Sequence, residues 1–340
     1  MKTPTMVEPG RLLHLVDLIA GRRVAVAGDL IADEFIYGEI ARVSREAPVL
    51  ILNYDSTEVV PGGAGNAAGN VASLGGKATI AGVVGRDEAG DRLLETLNRR
   101  KVDARQVLRP SRYTTPTKTR ILAGGIHSAK QQVVRIDRGA SGEVTDALRK
   151  AFRARVLRAI RGADALILSD YGTGLITPSL VADATPIVGT IVVDSRYRLL
   201  AFPGITACTP NESEVEQALG MRIADNGPAL ERAGRTLLRR LRSAAVLITR
   251  GSRGMALFEP NQPTLHIPIV GSDQIADVTG AGDTVIATFT LAVSAGATFA
   301  EAAHLANYAG GIVVMKRGTA TVSASELRYA ISGGTIGRPA

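Results

Sequence analysis

Residues 277–283 read Asp277-Val278-Thr279-Gly280-Ala281-Gly282-Asp283. Ahead of them lies Ile267-Pro268-Ile269-Val270, apolar and strand-like. Behind them, residues 284–300 are uncharged and apolar enough for a buried helix. A glycine turn opening a helix leaves backbone N–H groups unpaired at the positive end of the helix dipole, which invites an anion. Glycine also lets the backbone approach that anion closely. Asp283, just inside the helix, would stand beside it as a candidate general base. The combination suggests phosphoryl transfer to a hydroxyl, with amides neutralising the moving group while the carboxylate takes the proton. A plainer alternative makes Thr279 an N-cap and Asp283 a first-turn acid favoured by the dipole. The motif alone favours that alternative, so the rest of the chain has to decide.

A chain of 340 residues is long enough for one large α/β domain or two smaller ones. Lysine and arginine number 40 against 32 acidic residues, a net charge of +8 that suits either nucleic acid or phosphorylated small molecules. The cations Arg149, Lys150, Arg153 and Arg158, like Arg232, Arg235, Arg239 and Arg240, follow helical stretches without interleaved aromatics, and the chain has no Trp. Solvated helix faces are expected, and nucleic acid is not. Cys208 stands alone, which fits a reducing compartment. The apolar run at 12–20 is broken by His14 and Asp17 and does not read as a secretory signal. Residues 284–300 fall short of the ~20 needed to span a bilayer. A cytoplasmic protein without a membrane partner is expected.

Taken in order, the first strand is Arg23–Gly28, ending at Asp29 with Asp33 four residues on. Ligands collect beyond the carboxyl ends of strands in open α/β sheets, so these acids could bind sugar hydroxyls or could equally be turn residues. Short β pieces at 35–38, 49–52 and 57–60, parted by a polar loop at 41–48, suggest a small antiparallel sheet that could cover a site. Residues 61–76 form a second glycine-rich segment, Pro61-Gly62-Gly63-Ala64-Gly65-Asn66-Ala67-Ala68-Gly69-Asn70-Val71-Ala72-Ser73-Leu74-Gly75-Gly76, without dinucleotide-binding spacing. From Lys77 strands and helices mostly alternate. Strands at 117–123 and 131–137 carry Lys118, Arg120 and Arg135, a source of positive charge for an anionic sugar substituent. Apolar strands at 165–168, 190–193 and 245–248, linked by helices, imply a parallel sheet covered on both faces. Asp29, Asp170, Asp194, Asn211 and Thr249 follow such strands and define one polar rim, taken as the active-site rim. Asn211-x-x-Glu214 is either a capping box or a holder of hydrated magnesium on a nucleotide. No P-loop and no G-x-S-x-G elbow occur, and His14, His127, His266 and His304 are too scattered for a zinc site.

The glycine segment at 61–76, the Asn211/Glu214 pair and the Asp277–Asp283 motif, in this order, resemble the ribokinase-like (PfkB-type) carbohydrate kinases over roughly residues 20–330. Further stretches are similar to the subgroup acting on D-glycero-β-D-manno-heptose 7-phosphate in lipopolysaccharide inner-core precursor synthesis. They are Gly28–Asp33, Arg42–Val49, Ser169–Gly172 and Thr209–Glu214, with 277–286 in the same style. The resemblance implies an α/β, ribokinase-like three-layer fold: a mostly parallel sheet with helices on both faces, plus a small antiparallel β lid. Residues 1–340 would form one kinase domain with the lid at about 34–60 and 114–137, and no nucleotidyltransferase domain of the kind some heptose kinases carry. It implies Asp283 as the base, with Gly280, Ala281 and Gly282 as the anion hole. Asp29, Asp33, Gly62, Gly63 and Asn66 would hold the sugar, with Asp170 beside them. Asn211 and Glu214 would order Mg–ATP, and Thr249, Gly251, Gly254 and Asn307 would lie near the nucleotide. Asp277, Thr279 and Gly318 would hold a potassium-type cation (K+), and the lid sheet is a natural homodimer surface. The chain departs from its relatives in having Thr173 where they often have lysine, and Asp194-Ser195-Arg196 where they have Asp-Pro-Lys. Its 123–130 turn is longer than usual. These departures bear on the grip on the distal phosphate. Alternatives are a kinase of ribose, fructose or a fructose phosphate, a non-catalytic sugar- or nucleotide-binding regulator and, more distantly, a dinucleotide-dependent oxidoreductase.

Overall fold

Apolar runs such as Val24-Ala25-Val26-Ala27 send alternate side chains to opposite faces of a strand. In this protein both faces are buried. Val24 and Val26 join one hydrophobic cluster with Ile167 and Leu247, while Ala25 and Ala27 join another with Leu166, Leu168 and Val246. That division is the three-layer arrangement expected from the pattern, seen in a computed structural model that describes residues 7–124, 130–139, 144–271, 277–316 and 318–334. The part of the 123–130 turn at 125–129, with His127, lies outside the described residues.

Among the described residues the strands are β1 (Arg23–Gly28), β2 (Leu30–Val43), β3 (Leu50–Gly63), β4 (Lys77–Ala81), β5 (Thr117–Gly124), β6 (Gln131–Arg138), β7 (Ala165–Asp170), β8 (Ile191–Ser195), β9 (Ala207–Cys208), β10 (Ala245–Thr249), β11 (Met255–Phe258) and β12 (Leu265–Ile267). The helices are α1 (Pro9–Ile19), α2 (Ala64–Ser73), α3 (Glu88–Arg99), α4 (Asp146–Ala159), α5 (Pro178–Ala184), α6 (Glu212–Leu219), α7 (Gly227–Leu241), α8 (Ala281–Ser294), α9 (Phe299–Val313) and α10 (Ala324–Ile331). Eight strands form one sheet in the order β12-β11-β10-β9-β8-β7-β1-β4, parallel from β4 to β10 and antiparallel at β11 and β12.

The second sheet has the order β3-β2-β5-β6. It corrects two expectations. The three short β pieces are parts of two 14-residue strands joined by a hairpin. Register shifts at Tyr37/Gly38 and Ile40/Arg42 disguise their continuity. Nor is the sheet wholly antiparallel: β2 and β5 run parallel between two antiparallel outer pairs.

Residues 267–270 are strand only as far as Ile267. The apolar stretch 284–300 is not one helix either. Helix α8 stops at Ser294, Gly296 adopts a left-handed φ of 88°, and α9 starts afresh with Thr298 and Glu301 as a capping box. Among the described residues no helix is long and apolar enough to cross a membrane.

Candidate active site

Helix α8 is capped by Gly280 rather than by Thr279, and Gly280 sits in the left-handed region at φ 78°. A Cβ there would lie 2.5 Å from Asn66 Nδ2 and 3.1 Å from Thr319 Cγ2, so glycine is required for room as well as for conformation. A Cβ on Gly282 would meet nothing within 4 Å, so that residue borders open space. The N–H of Ala281 donates to Val278 O at 3.2 Å, which leaves it engaged within the turn.

Asp283 follows in the first helical turn and is only 4% exposed. Its Oδ2 accepts from Asn66 Nδ2 at 3.0 Å and its Oδ1 from Tyr171 Oη at 3.3 Å. Burial pushes its carboxyl up to about 7, helped by the negative charge of Asp33 and opposed by the bonds from Asn66 and Tyr171 and by Lys118. A carboxylate titrating there suits general-base work at neutral pH.

Asp33 points into the same space from β2. Arg120 Nη1 holds its Oδ1 at 2.7 Å and Thr319 Oγ1 donates to its Oδ2 at 3.1 Å. The expected glycines pack directly on these acids. A Cβ on Gly62 would come within 2.4 Å of Asp33 Oδ2, and one on Gly63 within 2.7 Å of the Asp29 carbonyl. Asp29 itself is turned inward. Its carboxylate accepts from the N–H of Tyr171 at 2.7 Å and of Thr173 at 3.3 Å, and from the Thr173 hydroxyl. Burial raises it to about 6 against those bonds. Asp170 is committed in the same way, to Ser195 Oγ at 2.8 Å and Arg198 Nη2 at 2.9 Å. Both acids organise the loops after β1, β7 and β8.

Lys118 lies 5.1 Å above the Tyr171 ring. Burial lowers its ammonium; Asp33 opposes this, while the neighbouring cations Arg196 and Arg135 add to it. Arg135 is bonded to Asp137 at 2.6 and 2.7 Å, and Arg120 is taken up by Asp33.

Asn211 and Glu214 form the capping box in full, each bond 2.9 Å long. The box and a ligand role are compatible, because Glu214 Oε2 makes the cap and Oε1 remains. Asp194, at the end of β8, is held well above the carboxylate range by burial and then by the charges of Glu214, Asp283 and Asp170; Glu214 is raised as well, by burial. Two neighbouring carboxylates that resist joint ionisation fit a divalent cation that keeps most of its waters. Among the described residues no cluster of three or more His, Cys, Asp or Glu groups is placed to hold a metal. Thr249 bridges to Asn211. Gly251 borders open space at φ 56°, while a Cβ on Gly254 would meet Ile267 O at 2.0 Å. Buried Asn307 donates to Pro268 O at 2.7 Å and steadies the chain ahead of the 277–283 turn.

Asp277 gathers the other two residues expected at a cation site, accepting from Thr279 N at 2.8 Å and Gly318 N at 3.0 Å. Tyr171, Asp194 and Thr319 complete the constellation, and of these only Asp194 is expected on the active-site rim. Asp194 stood on the polar rim and Tyr171 inside a quoted stretch, but Thr319 carries no motif, and its contact with Asp33 spans 286 positions.

A buried carboxylate in the first turn of a helix, on the carboxyl rim of a parallel sheet with a second sheet beside it, fits a kinase of small molecules. The comparisons agree: the profile of the pfkB family carbohydrate kinases matches residues 23–326, and the chain belongs to that family. It is therefore a carbohydrate kinase, a phosphotransferase with a hydroxyl acceptor, of ribokinase-like fold. It is 42% identical over 324 residues to the Bifunctional protein HldE of Caulobacter vibrioides, covering 93% of this chain and 65% of that protein. It is 39% identical to the protein of the same name from Vibrio vulnificus, covering 91% and 63%. The chain thus spans just under two thirds of the length of these relatives. Among solved structures it is similar to Arabidopsis thaliana ribokinase complexed with ribose and ATP (TM-score 0.69, 19% identity). It is also similar to Escherichia coli phosphofructokinase-2 in complex with fructose-6-phosphate (TM-score 0.74, 18% identity). Each comparison covers 92% of this chain and 99% of the other, and shows the shared fold.

Proposed function

We propose that the protein transfers the γ-phosphoryl of ATP to the anomeric hydroxyl of D-glycero-β-D-manno-heptose 7-phosphate. The observation that carries the reading is Asp283, buried, titrating near neutrality and seated in the first turn of α8. Asp283 takes the hydroxyl proton as the sugar oxygen bonds to the γ-phosphorus and the bond to the bridging oxygen breaks, releasing ADP. With the Ala281 N–H taken up by Val278 O, the backbone at Gly280 and Gly282 and the positive end of α8 would face the charge that develops on the migrating group. Asp33, fixed by Arg120 and Thr319, orients sugar hydroxyls, and Lys118, Arg135 and Arg196 supply the positive charge that a distal phosphate needs.

Glu214 and Asp194 would hold hydrated Mg2+, which when bound supplies charge neutralisation on the ATP phosphates. Asp277, Thr279 and Gly318 would hold a potassium-type cation. The β3-β2-β5-β6 sheet acts as a lid on a single kinase domain and as the surface of a homodimer. The cytoplasm is the proposed site of action, in keeping with the lone buried thiol of Cys208.

Two measurements test this. Asp283→Asn should lower turnover by ~10²–10⁴ while ATP binding is kept, and near-normal turnover removes the base. ADP release measured over a panel of free and phosphorylated sugars should be greatest with the heptose 7-phosphate. Preference for ribose, fructose or fructose 6-phosphate would replace the substrate and leave the chemistry, and no sugar-dependent ADP release at all would point to a non-catalytic binder.

A further inference from the structure

Asn70 has no part in the reaction described above, yet it is wholly buried on α2, one turn beyond Asn66. A buried amide has to satisfy the donors and acceptor it carries, and Asn70 does so with a fixed polarity. Its Oδ1 accepts from the backbone N–H of Val322 at 3.2 Å. Its Nδ2 donates to Asn66 Oδ1 at 3.3 Å and to the Asn66 carbonyl at 3.1 Å. Asn66 passes the polarity on, its Nδ2 donating to Asp283 Oδ2 at 3.0 Å and to Gly280 O at 3.3 Å.

A peptide N–H can only donate. Val322 therefore dictates which end of the Asn70 amide is oxygen, and Asn70 dictates the same for Asn66. Turned end for end, Asn66 would set an oxygen lone pair against the carboxylate and disfavour its charged form. We propose that Asn70 is a positioning residue for phosphoryl transfer, orienting Asn66 so that its amide NH2 faces the carboxylate of Asp283. The inference rests on Asp283 being the base.

The other titratable groups that face Asp283 are Tyr171, Asp33, Lys118 and Asp194, from β7 and its loop, β2, β5 and β8. None of them is hydrogen-bonded to Asn70, whose partners are Asn66 and Val322. Of the influences that oppose burial at Asp283, the bond from Asn66 is the largest. Losing its orientation should therefore raise the carboxyl.

Asn70→Ala and the space-filling Asn70→Leu test this, with the Asp283 carboxyl titration followed by carbon-detected NMR on the substrate-free protein and assigned by its absence in Asp283→Asn. In either variant the midpoint should rise by about one pH unit, and the acidic limb of kcat/KM should move up with it while KM for ATP holds. In an Asn66→Ala background the Asn70 substitution should add nothing further. A midpoint that stays put in a folded Asn70 variant, or a shift that persists undiminished without Asn66, overturns the proposal. A midpoint that moves while the pH–rate profile does not would support the orienting role of Asn70 and overturn Asp283 as the base.

Discussion

Gly280 shows how much a single position can decide. Its backbone is left-handed, which costs a residue with a Cβ about 1–2 kcal/mol. A Cβ there would also lie 2.5 Å from Asn66 Nδ2, the group that donates to Asp283. Gly280→Ala should therefore reduce kcat at least ~10-fold and lower Tm together, since the penalty falls on the fold and on Asp283 alike. A variant with wild-type kcat would show that the turn tolerates the methyl and that Asn66 is not held by it. Asp283 carries a second expectation. A base has to be unprotonated, and burial holds this carboxyl at about 7 rather than in the ordinary range near ~4. Activity should fall as pH drops through about 7, and an acidic limb of kcat/KM near ~4 would contradict the role. The acid at 283 and its glycine turn are legible from the order strand, glycine, acid, helix, and Asn66 is named with the sugar-holding residues on the family resemblance. The contacts that close around Asp283 are not legible. Asn66 lies 217 positions away and Tyr171 lies 112 away, and local pattern carries no information about contacts closed by the whole sheet. Asp29 shows the converse: an acid in the expected place, whose oxygens are taken up by the backbone and hydroxyl of the loop at 171–173.

Among the elements, α3 joins the two sheets through its N-cap residue. Asp87 caps the helix by accepting from Gly90 N at 2.9 Å and also receives Thr115 N at 2.8 Å and Thr115 Oγ1 at 2.6 Å, just ahead of β5. Burial alone would raise this carboxyl, but the bonds from Thr115 and Gly90 outweigh it and hold it below its ordinary value. A depressed carboxyl contributes stability that is present above its unfolded pKa and is lost as pH falls through the folded one. Asp87→Ala should cost about 1–2 kcal/mol at neutral pH, with the gap from wild type closing as the solution is acidified below pH ~4. Denaturant titrations at neutral pH and at about pH 3 check both parts, and a gap independent of pH would assign the loss to something other than the charge. Strands buried on both faces were readable because β1, β7, β8 and β10 are unbroken apolar runs. The lid strands were not readable as wholes. In β3 the segment Asn53-Tyr54-Asp55-Ser56 is exposed and polar enough to look like a break, yet it is held in register by β2. The single helix expected over 284–300 is too long for the opposite reason, since apolar character persists through the turn that Gly296 makes.

At the scale of the molecule, the two sheets differ in how they are covered. The eight-stranded sheet is packed on both faces, whereas β6 is exposed along its whole length and the distal half of β3 nearly so. Apolar side chains sit in water on this sheet and its hairpin: Val43 at the end of β2, Val49 just ahead of β3 and Tyr54 on β3 are 59%, 55% and 69% exposed, and Val133, Val134 and Ile136 lie on β6. A sheet with apolar residues on exposed strands, and with β3 and β6 as unpaired edges, exposes surface that a second copy would cover. Val134 and Ile136 are two apart on one strand and so share a face. Replacing both by glutamate places four like charges across a symmetric interface, a cost that a dimer of ordinary area cannot absorb, while the catalytic rim is left as it was. Val134→Glu/Ile136→Glu should sediment as a monomer where the unaltered protein sediments as a dimer. Because β6 pairs with β5, which carries Lys118 and Arg120, KM for the sugar should rise in the monomer while KM for ATP holds. A wild-type protein that is monomeric at micromolar concentration would remove the lid as a dimer surface. A monomeric variant with unchanged sugar KM would separate assembly from substrate capture, leaving the lid to act within each subunit alone.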